Sequence, residues 1–488
     1  LKQRDVDYPV KPKDLAVVPL SIPPLPRGFV FRPEEASQIK ECLFPGDRTV
    51  RGGVFVVHGM GGSGKTAIVS SASRDEVVRS RFDRICFVGI GQAPNMRDLQ
   101  RSLHTQLCGE NLDSNADEGR AQIALQTAAR GQTVLLIIDD AWDASQVRAL
   151  NCIDTDTHSR AIVTTRIQGL VPGAPEIALG LMPRDAAVQI IFDVAGVADM
   201  PPYSDLAYEA ADACGYLPLA LAVAGGMLSQ FGGEVNEEFV RVLTEDHGEV
   251  LREGEFGDMN VKIEDRIITG SLTHFQGSSE EERDRVTGLF ISFAMFPEDV
   301  PIPTSLFDML AGSVFGVSGK RPQLKLREAL STLVKLSLLQ GTIAGGMYQH
   351  DILRDFVMSR IPDLMDQQRR MVEGIMDARP EGGWPSMDSV EQGTASWYVA
   401  TQLWWHIRGA VSGDLDDEAS QELVGRLVES EAPIAEACAM GLRREGMELR
   451  IQWAEDRGDF VLAAKLCVAA SLPGRHGQFP MSEERDLM

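Results

Sequence analysis

The chain has 488 residues, of which 44% are hydrophobic and 24% charged, and its formal net charge is −24 at pH 7. This is ordinary composition for globular domains, and the length predicts about three or four of them. The strong acidity disfavours nonspecific binding to nucleic acid or to anionic membranes. The 7 cysteines form no C-x-x-C pair, so we expect reduced thiols rather than a disulfide framework or a zinc site.

Residues 1–27 are proline-bearing and polar, with no helical periodicity, which favours an extended linker. The segment does not resemble a signal peptide. The longest apolar stretch, residues 217–228, is too short to span a bilayer. We therefore expect a cytoplasmic location and no membrane contact. Because the first residue is Leu1 rather than Met, we also expect a piece of a longer protein.

The first motif that carries chemistry lies at residues 54–69. A β-branched run predicts a buried strand, residues 59–66 spell G-x-x-x-x-G-K-[ST], and a helix is predicted from Ala67. In this context the loop is predicted to bind the phosphates of a nucleotide, with Lys65 on the β- and γ-phosphates and the Thr66 hydroxyl on Mg²⁺. The predicted phosphate-binding residues are Gly59, Gly61, Gly62, Ser63, Gly64, Lys65, Thr66 and Ala67.

Strand and helix patterns alternate after this loop. Strands are predicted at residues 84–90, 133–140 and 161–166, with a helix at 96–107. Short apolar strands separated by helices indicate a parallel sheet covered on both faces. In such sheets ligands bind at the carboxyl ends of the strands.

Two carboxylates and an arginine end predicted strands at that edge. Asp139 occupies the Walker B position and is predicted to bind Mg²⁺ together with Thr66. Asp140 is a candidate for orienting the attacking water, and Arg166 is a candidate sensor of the γ-phosphate. The alternatives are a helix cap near Trp142 for the carboxylates and an ordinary surface cation for Arg166.

Beyond residue 178 the pattern becomes helical. Helices are predicted at residues 184–194 and 204–214, and Pro218 lies in the first turn of an apolar helix, which together suggest a small helical domain. Residues 245–262 form an acidic connection. Further helices then precede a predicted β-hairpin at 338–351, an order that suggests a winged helix.

The last part of the chain is predicted to be helical from Arg354, with Tyr398, Trp404 and Trp405 in its core. Residues 453–467 have the pattern of one tetratricopeptide-type helical hairpin. The predicted fold class is a multidomain α/β plus α protein. Its predicted parts are a linker at 1–27, a P-loop nucleotide-binding domain with a parallel sheet at 28–178, a helical domain at 179–262, a winged-helix domain at 263–362 and a second helical domain at 363–488.

Read in order, these motifs resemble the NB-ARC family of STAND nucleotide switches, to which plant nucleotide-binding leucine-rich-repeat immune receptors and the animal apoptosome scaffold belong. The resemblance covers residues 28–360 and, more loosely, the helical tail. The matching segments are residues 29–32, 59–66, 135–142, 164–166, 215–220, 293–299 and 349–351.

The resemblance implies roles that the residues alone do not. Val30 and Arg32 would frame the adenine from one side and Pro218 from the other. His350, which by itself reads as a surface residue at a strand end, would contact the β-phosphate of ADP and hold the winged helix closed. This chain departs from the family in Gln349, where a methionine is usual, and in a tyrosine at position 216, where a small residue is common.

The implied function is an ADP/ATP-binding signalling switch in cell-death or innate-immune type signalling. It would be autoinhibited with ADP, would form a self-oligomer after exchange for ATP, and would be reset by slow hydrolysis that uses Lys65, Asp140 and Arg166. An effector domain would precede this chain and sensor repeats would follow it.

Two alternatives remain open at this stage. One is a DNA-binding transcriptional regulator that uses the winged helix, because Lys320, Arg321, Lys325 and Arg327 cluster near one predicted helix. The overall acidity disfavours nucleic acid as a partner. The other alternative is a fast P-loop ATPase such as a motor.

Overall fold

The computed structural model describes residues 15–45, 53–91, 94–110, 112, 118–198, 201–244, 263–273, 279–297, 300–317, 321–358, 363–378, 391 and 393–410. The chain divides into two compact units, the first comprising residues 1–250 and 256–276 and the second residues 251–255 and 277–488. The predicted acidic connection at 245–262 and the predicted helical hairpin at 453–467 lie outside the described residues. No helix in the described ranges is long and apolar enough to cross a membrane.

The first unit is built on a parallel sheet, as predicted, and this sheet has five strands. Its strands are β1 (Gly53–His58), β2 (Arg84–Gly89), β3 (Val134–Ala141), β4 (Arg160–Thr165) and β5 (Glu176–Ala178), in the spatial order β2-β3-β4-β1-β5. Every pair is parallel. The short edge strand β5 was not predicted, because its three residues carry too little apolar pattern to stand out.

Helices cover both faces of this sheet. They are α1 (Pro33–Leu43), α2 (Lys65–Arg74), α3 (Glu76–Arg79), α4 (Met96–Cys108), α5 (Glu118–Ala129) and α6 (Ala144–Leu150). Successive residues of β3 point to opposite faces: Leu136 and Ile138 pack in one apolar core with α4 and α5, whereas Leu135 and Ile137 pack in another with α1 and α2. This double burial explains why the strands are continuous apolar runs.

The described part of the predicted linker is extended but docked. Ala16 and Arg79 exchange two hydrogen bonds, from Ala16 N to Arg79 O at 3.0 Å and from Arg79 Nε to Ala16 O at 2.9 Å. Arg74 donates to the carbonyls of Ile22 and Pro23 at 3.2 and 2.9 Å. Because Ala16 and Ile22 are buried, residues 15–23 belong to the surface of α2 and α3.

The first unit continues with helices α7 (Arg184–Ala195), α8 (Asp205–Ala213), α9 (Pro218–Gln230), α10 (Glu237–Thr244) and α11 (Ile263–Thr273). Helices α7 and α9 cross closely, since a Cβ on Gly225 would lie 2.6 Å from the Ile191 carbonyl oxygen. Pro218 occupies the first turn of α9, where its missing N–H has no intrahelical partner to lose.

The second unit begins with α12 (Glu280–Ser292), a 3₁₀ turn (Phe293–Met295), α13 (Thr304–Leu310) and α14 (Pro322–Lys335). The antiparallel hairpin of β6 (Gln340–Thr342) and β7 (Gly346–Tyr348) follows, within the segment predicted for it. Ile302 and Met347 exchange hydrogen bonds of 2.8 and 3.0 Å and so extend this small sheet.

Helices α15 (Asp351–Met358), α16 (Leu364–Asp377) and α17 (Ala395–Ala410) complete the described part of the second unit. The ring of Phe296 contacts the rings of Tyr398 and His406, so α17 shares a core with the 3₁₀ turn. Tyr398 is fully buried, as predicted, while Trp405 is only partly buried. The side chain of Trp404 lies outside the described set.

Candidate functional site

The loop between β1 and α2 has a backbone that only glycine permits at several positions. Gly62 and Gly64 have φ values of +69° and +92°, and a Cβ on Gly59 would lie 2.6 Å from the Leu179 carbonyl oxygen. No described side chain caps α2. The hydroxyl of Ser63 is buried and finds no hydrogen-bond partner among the described residues. Unsatisfied donors at a helix N-terminus fit an anionic phosphate group.

Lys65 is buried at the start of α2 and directs its amine back over this loop. Its Nζ donates to the carbonyls of Gly59 at 3.1 Å and Met60 at 2.9 Å. Burial and then repulsion from Arg166 lower the pKa of Lys65, against the attraction of two nearby carboxylates. A buried cation whose described hydrogen bonds go to neutral carbonyls on its own loop would gain strongly from a phosphate anion.

Thr66 and Asp139 meet at the carboxyl edge of the sheet. The Thr66 hydroxyl donates to Asp139 Oδ2 at 2.9 Å and to Oδ1 at 3.0 Å, and Thr164 Oγ1 donates to Oδ1 at 2.5 Å. Burial raises the pKa of Asp139 to about 6, although both hydroxyl donors lower it.

This donor set fits Mg²⁺, which prefers hard oxygen ligands and keeps several of its waters. No group of three or more His, Cys, Asp or Glu in the described ranges could hold a metal alone. Thr66 and Asp139 would therefore hold the ion together with water and phosphate oxygens, and the ion would neutralise charge on the phosphates.

Asp140 follows Asp139 in an irregular turn of the strand. Its φ is +53°, and the register between β3 and β4 shifts between Ile138 and Ala141. The backbone N–H of Asp140 donates to Thr164 Oγ1 at 2.8 Å. The turn directs the two successive carboxylates to different partners, and such strained residues cluster at functional sites.

The carboxylate of Asp140 lies between an arginine and an indole. Its Oδ1 is 3.8 Å from Arg166 Nε, and its Oδ2 accepts a hydrogen bond from Trp142 Nε1 at 3.1 Å. The alternative that these carboxylates cap a helix is wrong, because α6 begins at Ala144 and its cap is Asp143.

Arg32 is buried and faces the connection between β5 and α7. Its guanidinium donates to the Gly180 carbonyl at 3.0 and 3.1 Å and contacts the sulfur of Met182 at 2.9 Å. The neighbouring Val30 is half-buried. The guanidinium thus ties the segment before α1 to this connection.

Pro218 lies beside the phosphate-binding loop. Its Cγ is 3.9 Å from the position that a Cβ on Gly64 would take. The Tyr216 carbonyl accepts a hydrogen bond from Met182 N at 3.1 Å, which fixes the turn leading into α9. One end of α9 therefore borders the same loop as β1 and α2.

His350 belongs to the second unit, between β7 and α15. It is half-buried, and its Nδ1 accepts a hydrogen bond from Ile352 N at 3.3 Å. The neighbouring Gln349 is buried and donates to the Phe290 carbonyl at 3.4 Å. The residues that the first unit brings together are the loop, Asp139, Asp140, Arg166 and Pro218.

Two residues of this site were missed by sequence reasoning. Thr164 bonds both Asp139 and Asp140, and its signal was a polar residue at the end of an otherwise apolar strand. Trp142 contacts both Asp140 and Arg166, and its signal was an aromatic residue directly after the carboxylate pair.

A parallel sheet whose first strand leads into a glycine-rich loop, with Lys, Thr and Asp converging at its carboxyl edge, defines a P-loop nucleotide-binding domain. Residues 33–177 match the NB-ARC domain. These residues therefore carry a P-loop domain of the NB-ARC type.

The chain is similar to curated proteins of two kinds. A probable disease resistance protein of Arabidopsis thaliana is 25% identical over 339 residues, which are 66% of this chain and 34% of that protein. Apoptotic protease-activating factor 1 of Danio rerio is 22% identical over 401 residues, which are 77% of this chain and 29% of that protein. The chain thus spans about a third of the length of these relatives.

Among solved structures, the chain is similar to a signal transduction ATPase with numerous domains (STAND) from Pyrococcus horikoshii that has a tetratricopeptide repeat sensor. The two are 15% identical with a TM-score of 0.49, and the match covers 94% of this chain and 61% of that one.

Proposed function

We propose that this chain is the nucleotide-binding core of a STAND-type signalling switch. It rests in a closed state with ADP, exchanges ADP for ATP, and then forms a self-oligomer in signalling of the cell-death or innate-immune type. The observation that supports this proposal best is the hydrogen bond of 2.9 Å from the Thr66 hydroxyl to Asp139 Oδ2 beside the phosphate-binding loop, with Pro218 next to that loop.

In this proposal the loop residues Gly59 to Ala67 bind the phosphates through backbone N–H groups. Lys65 turns from its own loop carbonyls to the β- and γ-phosphates. Thr66 and Asp139 hold Mg²⁺, and Val30, Arg32 and Pro218 enclose the adenine side. Because Arg32 donates to protein acceptors, it acts on that side mainly by fixing the segment that carries Val30.

Hydrolysis is slow in this proposal and serves to reset the switch. Asp140 would orient the attacking water, but its carboxylate is engaged by Trp142 and approached by Arg166. A base that must first release its partners is weakly active, which suits a switch better than a motor. Arg166 would respond to the γ-phosphate, since it lies near enough to Lys65 to affect that amine.

The proposed domains keep the bounds expected from the sequence, with residues 179–262 as the first helical domain, 263–362 as a winged helix and 363–488 as a second helical domain. The compact units divide differently at one point, since α11 falls in the first unit. In the closed state His350 contacts the β-phosphate of ADP. A ligand shifts such an equilibrium only by its differential affinity, and moving from 1:99 to 99:1 needs about 5.5 kcal/mol. An effector before this chain and sensor repeats after it would supply the signal and the trigger.

The lock is tested by His350→Ala, with the exposed His158→Ala as a matched control. The variant is expected to exchange bound ADP faster and to form large oligomers with ATP in size-exclusion chromatography with light scattering. His158→Ala is expected to stay a closed monomer. An unchanged monomer and exchange rate in His350→Ala would remove His350 from the mechanism.

The DNA-binding alternative is not favoured. Two of its basic residues face carboxylates: Lys325 lies 3.4 Å from Glu281, and Arg327 forms an ion pair with Asp308. These pairs reduce the positive potential that phosphate contacts need. A duplex shift assay at two salt concentrations checks this, and salt-sensitive binding would revive the alternative.

A further inference from the structure

Trp142 has no assigned role, yet it joins the two candidate catalytic groups of the site. Its Nε1 donates to Asp140 Oδ2 at 3.1 Å, and the guanidinium carbon of Arg166 lies 5.0 Å from the centroid of its ring. Arg166 also approaches the other oxygen of Asp140, at 3.8 Å. The three side chains therefore form a closed triangle of a hydrogen bond, a cation–π contact and an ion pair.

The main chain that carries each of the other two corners is held by hydrogen bonds to side chains. The N–H groups of Trp142 and Asp143 donate to Gln146 Oε1 at 2.9 and 3.0 Å, as part of the capping box that begins α6. The backbone N–H of Asp140 donates to Thr164 Oγ1 at 2.8 Å. Arg166 has the longest side chain of the three corners and therefore the most rotatable bonds.

A cation–π contact restrains such an arginine without using its N–H donors. The attraction comes from the face of the ring, and tryptophan provides the strongest face. The guanidinium can therefore direct its N–H donors to an incoming phosphate while it stays on the indole. A carboxylate partner alone would compete with the phosphate for the same donors.

We propose that Trp142 is a positioning residue that holds Arg166 ready for the γ-phosphate and thereby sets the preference for a nucleoside triphosphate over a diphosphate. This inference rests on the proposed function, because it assumes that the loop binds a nucleotide. It adds to that function a residue that helps the site to distinguish a nucleotide with a γ-phosphate from one without it.

The test compares Trp142→Leu, which removes the ring and the N–H, with Trp142→Phe, which keeps an aromatic face. The control is Trp397→Phe, a change in the second unit. Titrations with ADP and with AMP-PNP, both with Mg²⁺, give the ratio of the two affinities. Trp142→Leu is expected to weaken AMP-PNP binding by about threefold to tenfold and to leave ADP binding within twofold. Trp142→Phe should fall between it and the wild type.

A double-mutant cycle with Arg166→Ala separates positioning from a general structural effect. Once Arg166 is removed, Trp142→Leu should no longer change the ratio of affinities. The inference is overturned if Trp142→Leu leaves the ratio of the AMP-PNP and ADP affinities unchanged, whether it weakens both equally or neither. That result leaves the proposed nucleotide switch intact. A wild-type chain that binds neither nucleotide overturns the proposed function, and this inference with it.

Discussion

The two units each contain a buried polar network, and the networks differ in how completely they are satisfied. In the second unit, Gln368 donates to the Met295 carbonyl at 2.8 Å, so its oxygen faces His406 Nδ1 at 2.6 Å. This makes Nδ1 the donor, and His406 Nε2 then accepts from the Tyr398 hydroxyl at 2.7 Å. Burial lowers the pKa of His406 to about 3, so the ring is neutral, and both of its nitrogens, the Gln368 amide and the Tyr398 hydroxyl have partners.

The network of the first unit is built differently. Its charged groups have partners that a ligand could replace: Lys65 rests on loop carbonyls, and Asp139 accepts from two hydroxyls. The Ser63 hydroxyl has no partner among the described residues. A closed neutral network stabilises a fold, whereas a charged network with exchangeable partners is suited to binding. The difference supports our proposal that the first network binds the nucleotide.

The largest expected effect comes from breaking the closed network. His406→Ala leaves the Tyr398 hydroxyl and the Gln368 oxygen without partners and opens a cavity, so we expect a loss of about 3–5 kcal/mol in the free energy of unfolding. Denaturant unfolding followed by tryptophan fluorescence checks this, because Trp142 is the only one of the 6 tryptophans outside the second unit. Nucleotide affinity of the folded variant would still be measurable in the first unit.

The control for that experiment is His158→Ala, an exposed position that should change stability by less than about 0.5 kcal/mol. A His406→Ala chain as stable as this control would mean that the closed network contributes little.

A smaller effect is expected from replacing Asp139, and this change should raise the free energy of unfolding rather than lower it. Its pKa is raised from 3.8 to about 6 in the folded chain, so ionisation disfavours folding and stability falls as the pH rises from about 4 through 6. Asp139→Asn should therefore stabilise the nucleotide-free chain by about 2–3 kcal/mol at pH 7.5 and hardly at all at pH 4. The same variant should lose Mg²⁺-dependent nucleotide binding.

Thermal melts of the wild type and Asp139→Asn at the two pH values, without nucleotide or Mg²⁺, give this difference directly. If Asp139→Asn is less stable than the wild type at pH 7.5, the carboxylate stabilises the fold. The two networks would then not differ in their effect on stability.

The smallest effect tests the segment that borders the site. Gly28 has φ +68°, and a Cβ there would lie 2.5 Å from a methyl carbon of Val194. Gly28→Ala should cost about 1–2 kcal/mol of stability through backbone strain and crowding. Differential scanning calorimetry checks this, with Gly131→Ala as the control, since Gly131 also has a positive φ but no neighbour within 4 Å. Equal losses in both variants would mean that contact with α7 is unimportant.

The sequence predicted the parallel sheet and its loop well because both rest on local signals. Strands β1 to β4 are continuous apolar runs, and the loop has a fixed spacing of glycine, lysine and threonine. The docking of residues 15–23 could not be predicted, because the arginines that hold the segment are more than 50 residues away along the chain.

One contact each of Arg32 and Trp142 could not be predicted either, because the partner is also distant along the chain. Nothing in the local pattern shows that Arg32 would bond a carbonyl 148 residues later, or that Arg166 would lie over an indole from the neighbouring strand end. Residue type and spacing predicted which groups gather at the edge of the sheet, and tertiary packing decides which of them touch.

The most direct test of the central claim is to denature the purified chain and identify the released nucleotide by chromatography. We expect one ADP for each monomer of the chain, because exchange from the closed state is slow. Finding no nucleotide, together with rapid multiple turnover of added ATP at about 1–100 per second, would contradict a switch and indicate a fast ATPase.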